Sequence, residues 1–298
     1  MNCKGITVIN EPVLAERTSI RLGGTAIAEV CLQGPDGFEE LDRILRILGG
    51  RMAVLGQGSN IIAADGQLPL VLVAQREDDS FTILNEEKER SLVRVAASMR
   101  LPRFLSIAAK LGLAGLEGLA GIPGSVGGAI AGNAGSFGMQ IGDCLRVLRL
   151  YSPLLGLVDK KRDELDLAYR SCAIAGHKGA FIITGADFLL QKDRPDSIRE
   201  RMEANLARKK ASQPVSARSA GCVFKNPAPD APAGRLLEEA GLRGFKAGGM
   251  AFSQVHANFL VNEGGGSFKQ ARELIERAML MVREKSGYQL ELEVKIWP

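Results

Sequence analysis

Histidine and tryptophan are nearly missing from this chain, with two of the first and one of the second in 298 residues. Two histidines, His177 and His256, are too few for a histidine-based metal site. The five cysteines (Cys3, Cys31, Cys144, Cys172 and Cys222) are odd in number, widely spaced and form no Cys-x-x-Cys. That argues against a disulfide framework or a zinc ribbon and fits a reducing compartment. No apolar run reaches the length of a membrane span, because glycine, proline or charge interrupts each one. The opening Met-Asn-Cys-Lys-Gly begins no secretory signal, so a cytoplasmic location is expected. Excess charge is also scarce: a net +4 and a pI near 8.8 suit an anionic small ligand. Without an arginine-rich run or a basic stretch interleaved with aromatics, they do not support a nucleic-acid partner.

What is present is apolar residues at 46%, charged residues at 24%, and 35 glycines in clusters. The first two numbers support a packed core and exclude general disorder; the length predicts two or three lobes. Leu41, Ile44, Leu45 and Leu48 recur at helical spacing within 35–48, with acids near its start. Short apolar runs predict strands at 52–55, 70–74, 81–84, 92–97, 145–151 and 180–190, and a helix at 101–111 with Pro102 in its first turn. Residues 17–24 read as a loop before a short strand. A polar, proline-containing connector at 191–197 marks a boundary, followed by a charged helix at 198–210. Beyond it come a helix near 234–240, a strand at 259–262 and a long helix opened by a Ser267–Gln270 capping box. The end of the chain, 289–297, alternates apolar and charged residues as a strand would.

Two glycine-rich segments carry the first chemical signal. Gly56-Gln57-Gly58-Ser59-Asn60 follows a predicted strand directly. Glycines there let a backbone approach a bulky anion and offer N–H groups to phosphate oxygens, although a tight turn has the same composition. Neither a P-loop nor a Rossmann fingerprint is present. In 118–135, eight positions are Gly or Pro among small residues. Such a run suits a backbone wrapped around a flat, extended ligand, with Ser125 and Asn133 able to add side-chain bonds; close packing between strands is the alternative.

Near the C-terminus, Cys222 stands in Gly-Cys-Val-Phe-Lys-Asn-Pro beside Lys225 and Asn226. It is open to three readings: nucleophile, proton donor or inert core residue. Glu293 reads from its pattern as a solvated strand position, Arg170 as one arginine among many, and His256 as a satisfied core histidine.

Taken in order, five segments resemble the MurB family of UDP-N-acetylenolpyruvoylglucosamine reductases: GQGSN at 56–60, GLEGLAGIPGSVGGAIAGNAGSFG at 115–138, Tyr169-Arg170, GCVFKNP at 221–227 and LELEVK at 290–295. GLRG at 241–244 and HANFLVN at 256–262 fit as well, and the likeness runs from about Thr18 to the end of the chain.

The resemblance implies an α+β fold: an FAD-binding region of the vanillyl-alcohol-oxidase type in two lobes, 1–75 and 76–195, and a C-terminal α+β substrate-binding lobe, 196–298. It implies FAD held by Gly56, Gln57, Gly58, Ser59, Asn60, Gly121, Ile122, Gly124, Ser125, Gly127, Gly128 and Asn133. NADPH would be the co-substrate, and the enolpyruvyl ether of UDP-N-acetylglucosamine would be reduced to UDP-N-acetylmuramate. A hydride carried by the flavin goes to the methylene carbon and a proton to its neighbour. Arg170 and Glu293 then match the groups that face the substrate carboxylate, and Cys222 matches the proton donor. Tyr169, Lys225, Asn226, Arg243 and His256 match substrate-binding positions, with Arg208 a further contact.

Three features depart from the family pattern. Cysteine stands where serine is usual; Lys295 stands where arginine is frequent, removing a bidentate donor but not a charge. The short connector after Leu190 has no room for a tyrosine-bearing lid, which places the chain in the second subclass. A monomer is expected, without nucleic-acid or membrane partners. The competing readings are an oxidase sharing the two FAD-binding lobes, against which GCVFKNP and the Glu293 segment argue, and a non-catalytic nucleotide-binding regulator on the same fold.

Overall fold

The computed structural model describes residues 4–298, so Cys3 lies outside the described residues. By its contacts the chain divides into two compact units. The first comprises Met1–Ile9, Glu29–Gly56 and Val71–Arg208; the second comprises Asn10–Ala28, Gln57–Leu70 and Lys209–Pro298.

The first unit is built on a six-stranded antiparallel sheet. Five strands follow in the order Gly156–Lys161, Leu145–Ser152, Ile182–Lys192, Arg90–Ala96 and Phe81–Glu86, and Leu113–Ala114 pairs with the end of the long third one. Helix Leu101–Lys110 buries Leu101, Phe104, Leu105, Ala108 and Ala109 in the core. The Phe104 and Phe188 rings lie 5.1 Å apart there, a tilted contact that orders the core beyond simple burial. A second cluster gathers Val30, Leu32, Val71 and Val73 with Phe38, Leu41 and Ile44 of helix Gly34–Leu48. That helix begins with proline in its first turn and stops at Gly49, whose φ of 67° few other residues adopt cheaply.

Both units are assembled from segments far apart in the chain. Tyr151 and Ile182, from the large sheet, enter the cluster around Phe38, with the Tyr151 and Phe38 rings 5.2 Å apart. The large sheet and helix Gly34–Leu48 thus share this apolar cluster.

The second unit has a four-stranded antiparallel sheet in the order Ser219–Cys222, Phe259–Asn262, Met250–Phe252, Lys246–Ala247. Helices Ala233–Glu239 and Phe268–Ser286 cover it. The longer helix has the expected capping box: the Ser267 side chain accepts from Gln270 N–H, and Gln270 answers on the Ser267 backbone. Residues early in the chain complete this core: Ile20, Leu22 and Ile62 pack with Phe224, Leu260 and Val294. Asn262 Nδ2 donates to the carbonyl of Ile20 at 3.1 Å.

Near the end of the chain only Lys295–Trp297 forms a strand, parallel to Ile61–Ala63. Residues 289–294 are irregular because their backbone bonds go to the turn after Cys222 rather than to a regular ladder.

Candidate active site

In the first unit, the glycine-rich run conceals a helix, Val126–Ala131, capped by Ser125, whose Oγ accepts from Gly128 N–H at 3.2 Å. Gly127 is there for packing, since an added Cβ would lie 2.9 Å from the Cβ of Ala97. The first helical N–H groups are spent internally: Val126 donates to the carbonyl of Met99 and Gly127 to that of Ala97. The turn before the helix is different. Gly121 and Gly124 have φ of 81° and 112°, in the region that favours glycine. Among the described residues, the N–H groups of Gly121, Gly124 and Ser125 donate to no atom of the chain. Gly56 belongs to the same place, because a Cβ on it would sit 3.0 Å from Ser125 Oγ. A turn with several idle N–H donors around glycines without side chains fits the diphosphate of a dinucleotide cofactor.

The same unit holds Tyr169 and Arg170 at the tip of a hairpin formed by Leu165–Ala168 and Ser171–Ile174. Arg170 has φ 57°, a left-handed conformation that costs a non-glycine residue about 1 kcal/mol. Its guanidinium lies 4.9 Å above the Tyr169 ring, and Nη1 donates to the carbonyl of Gly135 at 3.4 Å. Asn133 is buried, and its side chain is taken up by protein: Nδ2 donates to Gln140 Oε1 at 2.6 Å and to the carbonyl of Ala168 at 3.0 Å. Its Oδ1 accepts from Gly142 N–H at 3.1 Å. Arg208 lies 4.4 Å above the Phe137 ring.

In the second unit, Gly58 has φ 63°, and a Cβ there would be 1.9 Å from the carbonyl oxygen of Arg17, so no other residue fits. Among the described residues, the N–H groups of Gln57, Gly58, Ser59 and Asn60 also donate to no atom of the chain. Ser19, unremarkable in sequence, ties this loop down: its N–H donates to the carbonyl of Gly58, and its Oγ donates to that of Ser219 at 2.5 Å.

Cys222 follows a bulge, where the register between Ser219–Cys222 and Phe259–Asn262 shifts and Gly221 takes φ 84°. A bulge of this kind re-aims the side chain after it. Cys222 is half-buried and forms no disulfide. Beyond it the backbone is clasped by Asn258, a buried residue: Phe224 N–H donates to Asn258 Oδ1 at 2.9 Å, and Asn258 Nδ2 donates to the Phe224 carbonyl at 2.8 Å.

Glu293 lies alongside. Its N–H donates to the Val223 carbonyl at 2.8 Å, and its own carbonyl accepts from Asn60 Nδ2 at 3.1 Å. The end of the GQGSN loop, the Cys222 segment and Glu293 are thus brought together. Glu293 is half-buried rather than on a solvated face.

The remaining sites have structural partners as well. Lys225 Nζ is 3.4 Å from Glu291, and Asn226 Oδ1 accepts from Ala233 N–H, the first of its helix. Arg243 donates to the carbonyls of Gln254 and Val255 and pairs with Glu238, holding the loop that carries His256. The His256 ring packs 5.1 Å from Phe259 and accepts from Asn258 N–H. Burial first, and the Arg243 charge second, lower its pKa, which favours the neutral ring. Ser19 and Asn258 carry no motif of their own; the only sequence signal for Asn258 is its place inside HANFLVN.

Two family models match the chain. The family model described as FAD binding domain covers 34–153, and that described as UDP-N-acetylenolpyruvoylglucosamine reductase, C-terminal domain, covers 213–297. The chain is 53% identical to a UDP-N-acetylenolpyruvoylglucosamine reductase of Nitratidesulfovibrio vulgaris and 46% identical to one of Oleidesulfovibrio alaskensis, in both cases over 98% of each chain. It superposes on the crystal structure of the reductase from Thermus caldophilus with a TM-score of 0.81 and 31% identity, over 98% of this chain and 99% of that one. No helix among the described residues is long and apolar enough to cross a membrane. A chain with these donors, this clasped cysteine turn and this likeness along its whole length belongs to the UDP-N-acetylenolpyruvoylglucosamine reductase family, the FAD-binding oxidoreductases of peptidoglycan precursor synthesis.

Proposed function

We propose that Arg170, Glu293 and Cys222 carry the family's reduction in this chain, with NADPH as reductant and the enolpyruvyl ether of UDP-N-acetylglucosamine as substrate. Bound FAD would supply the hydride carrier, and residues 56–60 together with Gly121, Gly124 and Ser125 would hold it through backbone N–H groups, with Ile122, whose N–H donates to the Leu119 carbonyl, lining the same turn. Gly127 serves by letting the helix behind that turn pack closely, and Gly128 gives its N–H to the capping Ser125 Oγ. As the hydride reaches the methylene carbon, the double bond's electron pair moves toward the carboxylate. The guanidinium of Arg170 is a fixed positive charge for it, and a protonated Glu293 donates to the same oxygens. Cys222 then gives its Sγ proton to the carbon bearing the carboxylate, and the thiolate left behind is reprotonated from solvent. A thiol with an ordinary pKa of about 8.5 still carries its proton at neutral pH.

The observation that supports this reading is the backbone contact joining Val223 and Glu293, which sets the thiol segment beside the backbone of Glu293 and Asn60. Lys225 and Tyr169 are proposed to meet the diphosphate and sugar, whereas Asn226, Arg243 and His256 are proposed to act mainly by shaping the loops that do so. The lobes 1–75, 76–195 and 196–298 are proposed as the functional division, in the second subclass, as a cytoplasmic monomer.

The test is an anaerobic visible spectrum of the holoprotein. One equivalent of NADPH should bleach the flavin, and one of the enolpyruvyl substrate should restore its colour. Bleaching without recovery would refute the substrate or the Cys222 assignment; no flavin, even after FAD is added, would refute the reading of both glycine-rich segments.

A further inference from the structure

We infer that Asn133 is a positioning residue for Arg170 rather than a ligand of the cofactor. The inference rests on the reading of Arg170 above. Three observations in the first unit carry it. First, the Asn133 amide is used on both sides by protein, with its two N–H groups going to Gln140 Oε1 and the Ala168 carbonyl and its oxygen accepting from Gly142 N–H. Little of that side chain is left for a ligand. Second, Ala168 is the last residue of its strand before the Tyr169-Arg170 turn, paired across the ladder with Ser171. A bond to its carbonyl therefore fixes the base of the hairpin two residues from Arg170. Third, Asn133 at φ 37° and Arg170, at the tip of the hairpin it holds, at φ 57° are both in left-handed backbone. Strain at two linked non-glycine residues persists only where surrounding bonds over-determine it.

Gly142 belongs to the same device. A Cβ there would lie 2.7 Å from Asn133 Oδ1 and 2.7 Å from a methyl of Leu167, on the strand that leads to the hairpin tip. Its missing side chain makes room for the asparagine and the hairpin together. The Gly135 carbonyl, which receives Arg170 Nη1, lies two residues after Asn133. One asparagine thus sets both the hairpin that presents the guanidinium and the backbone that receives it.

The test separates the two half-reactions by anaerobic stopped-flow on the holoprotein: flavin reduction by NADPH, then flavin reoxidation by the enolpyruvyl substrate. Asn133→Gly is the variant of choice, because glycine adopts the same backbone without strain and only the amide is lost. It should slow reoxidation about tenfold while slowing reduction less than about twofold, a loss on the scale of one to two hydrogen bonds. Arg170→Ala should slow reoxidation by about 100-fold or more. In the double variant the Asn133 change should add almost nothing, because it acts through a group already removed.

If the two losses multiply instead, Asn133 works independently of Arg170 and the inference is overturned. It is equally overturned if Asn133→Gly releases FAD or slows both half-reactions alike. If Arg170→Ala leaves reoxidation unchanged, the reading of Arg170 itself has failed, a result distinct from either. Should Asn133→Gly fold poorly, Gln140→Ala removes one of the three bonds from an exposed partner and should show the same coupling at smaller amplitude.

Discussion

Replacing Asn258 by alanine removes two hydrogen bonds from the turn that presents Cys222. The Phe224 N–H at 2.9 Å and the Phe224 carbonyl at 2.8 Å both lose their partner, in a residue only 1% exposed. A buried backbone group left without a partner costs about 1–3 kcal/mol, so the pair amounts to about 2–6 kcal/mol, with about 4 kcal/mol as the central figure. The Val223 N–H keeps its bond, because it goes to the Asn258 backbone carbonyl. Asn258→Asp should cost at least as much at neutral pH: it can still accept from Phe224 N–H but turns a buried carboxylate oxygen toward the Phe224 carbonyl. Urea unfolding followed by far-UV dichroism and by flavin fluorescence would read the loss as a lower midpoint at unchanged slope. Because the clasp flanks Cys222, the folded fraction of Asn258→Ala should also reoxidise its flavin more slowly with substrate while accepting electrons from NADPH at the normal rate. A loss below about 1 kcal/mol together with normal reoxidation would refute the reasoning, since the turn would then hold its shape without the asparagine.

Cys222→Ser should retain turnover, whereas Cys222→Ala should keep flavin reduction and lose the substrate half-reaction; normal turnover of the alanine variant in a steady-state assay would remove Cys222 as donor. Asp187 is buried in the large sheet, where Arg94 donates to both its oxygens at 2.9 and 3.0 Å and Arg149 adds a third bond at 3.4 Å. Burial alone would raise its pKa, but the hydrogen bonds from Arg94 and Arg149 outweigh it and hold the carboxyl below its ordinary range. Its contribution is therefore fully present above the unfolded pKa of about 4 and is lost as the pH falls through the lower folded value. Asp187→Asn should cost about 2–4 kcal/mol at pH 7, and thermal melts at falling pH should show the gap to the parent closing below about pH 4.

Much of the scaffold was legible because its signals are local. The Ser267–Gln270 capping box announces helix Phe268–Ser286, and the apolar run 259–262 is the strand observed. Helix 101–111 ends within a residue of its expectation, at Lys110. What escaped depends on partners distant in the chain. The helix Val126–Ala131 opens on Val126, Gly127 and Gly128, all poor helix formers, and the Ser125 cap with the packing of Gly127 against Ala97 makes it form. The Arg170 hairpin turns through a strained arginine instead of a glycine, so no turn signal marks it. Residues 289–294 alternate as a strand should, yet their partner is an irregular turn. The glycine-rich loops were visible by composition, but the sorting of their glycines was not. Gly127 packs closely, while Gly121 and Gly124 supply left-handed turns with idle donors.

The second unit closes with Lys295–Trp297 lying beside Ile61–Ala63, over a core that also takes in Ile20 and Leu22. During synthesis this core cannot seal until residue 297 has been made, although some of its walls emerge more than two hundred residues earlier. Contacts so remote in sequence are slow to form, so the early segments wait with apolar faces uncovered. Most of the first unit is complete by residue 208. The nascent chain should therefore depend on chaperones chiefly for the stretches 10–28 and 57–70, and a few residues removed from the end should impair folding far more than their number suggests.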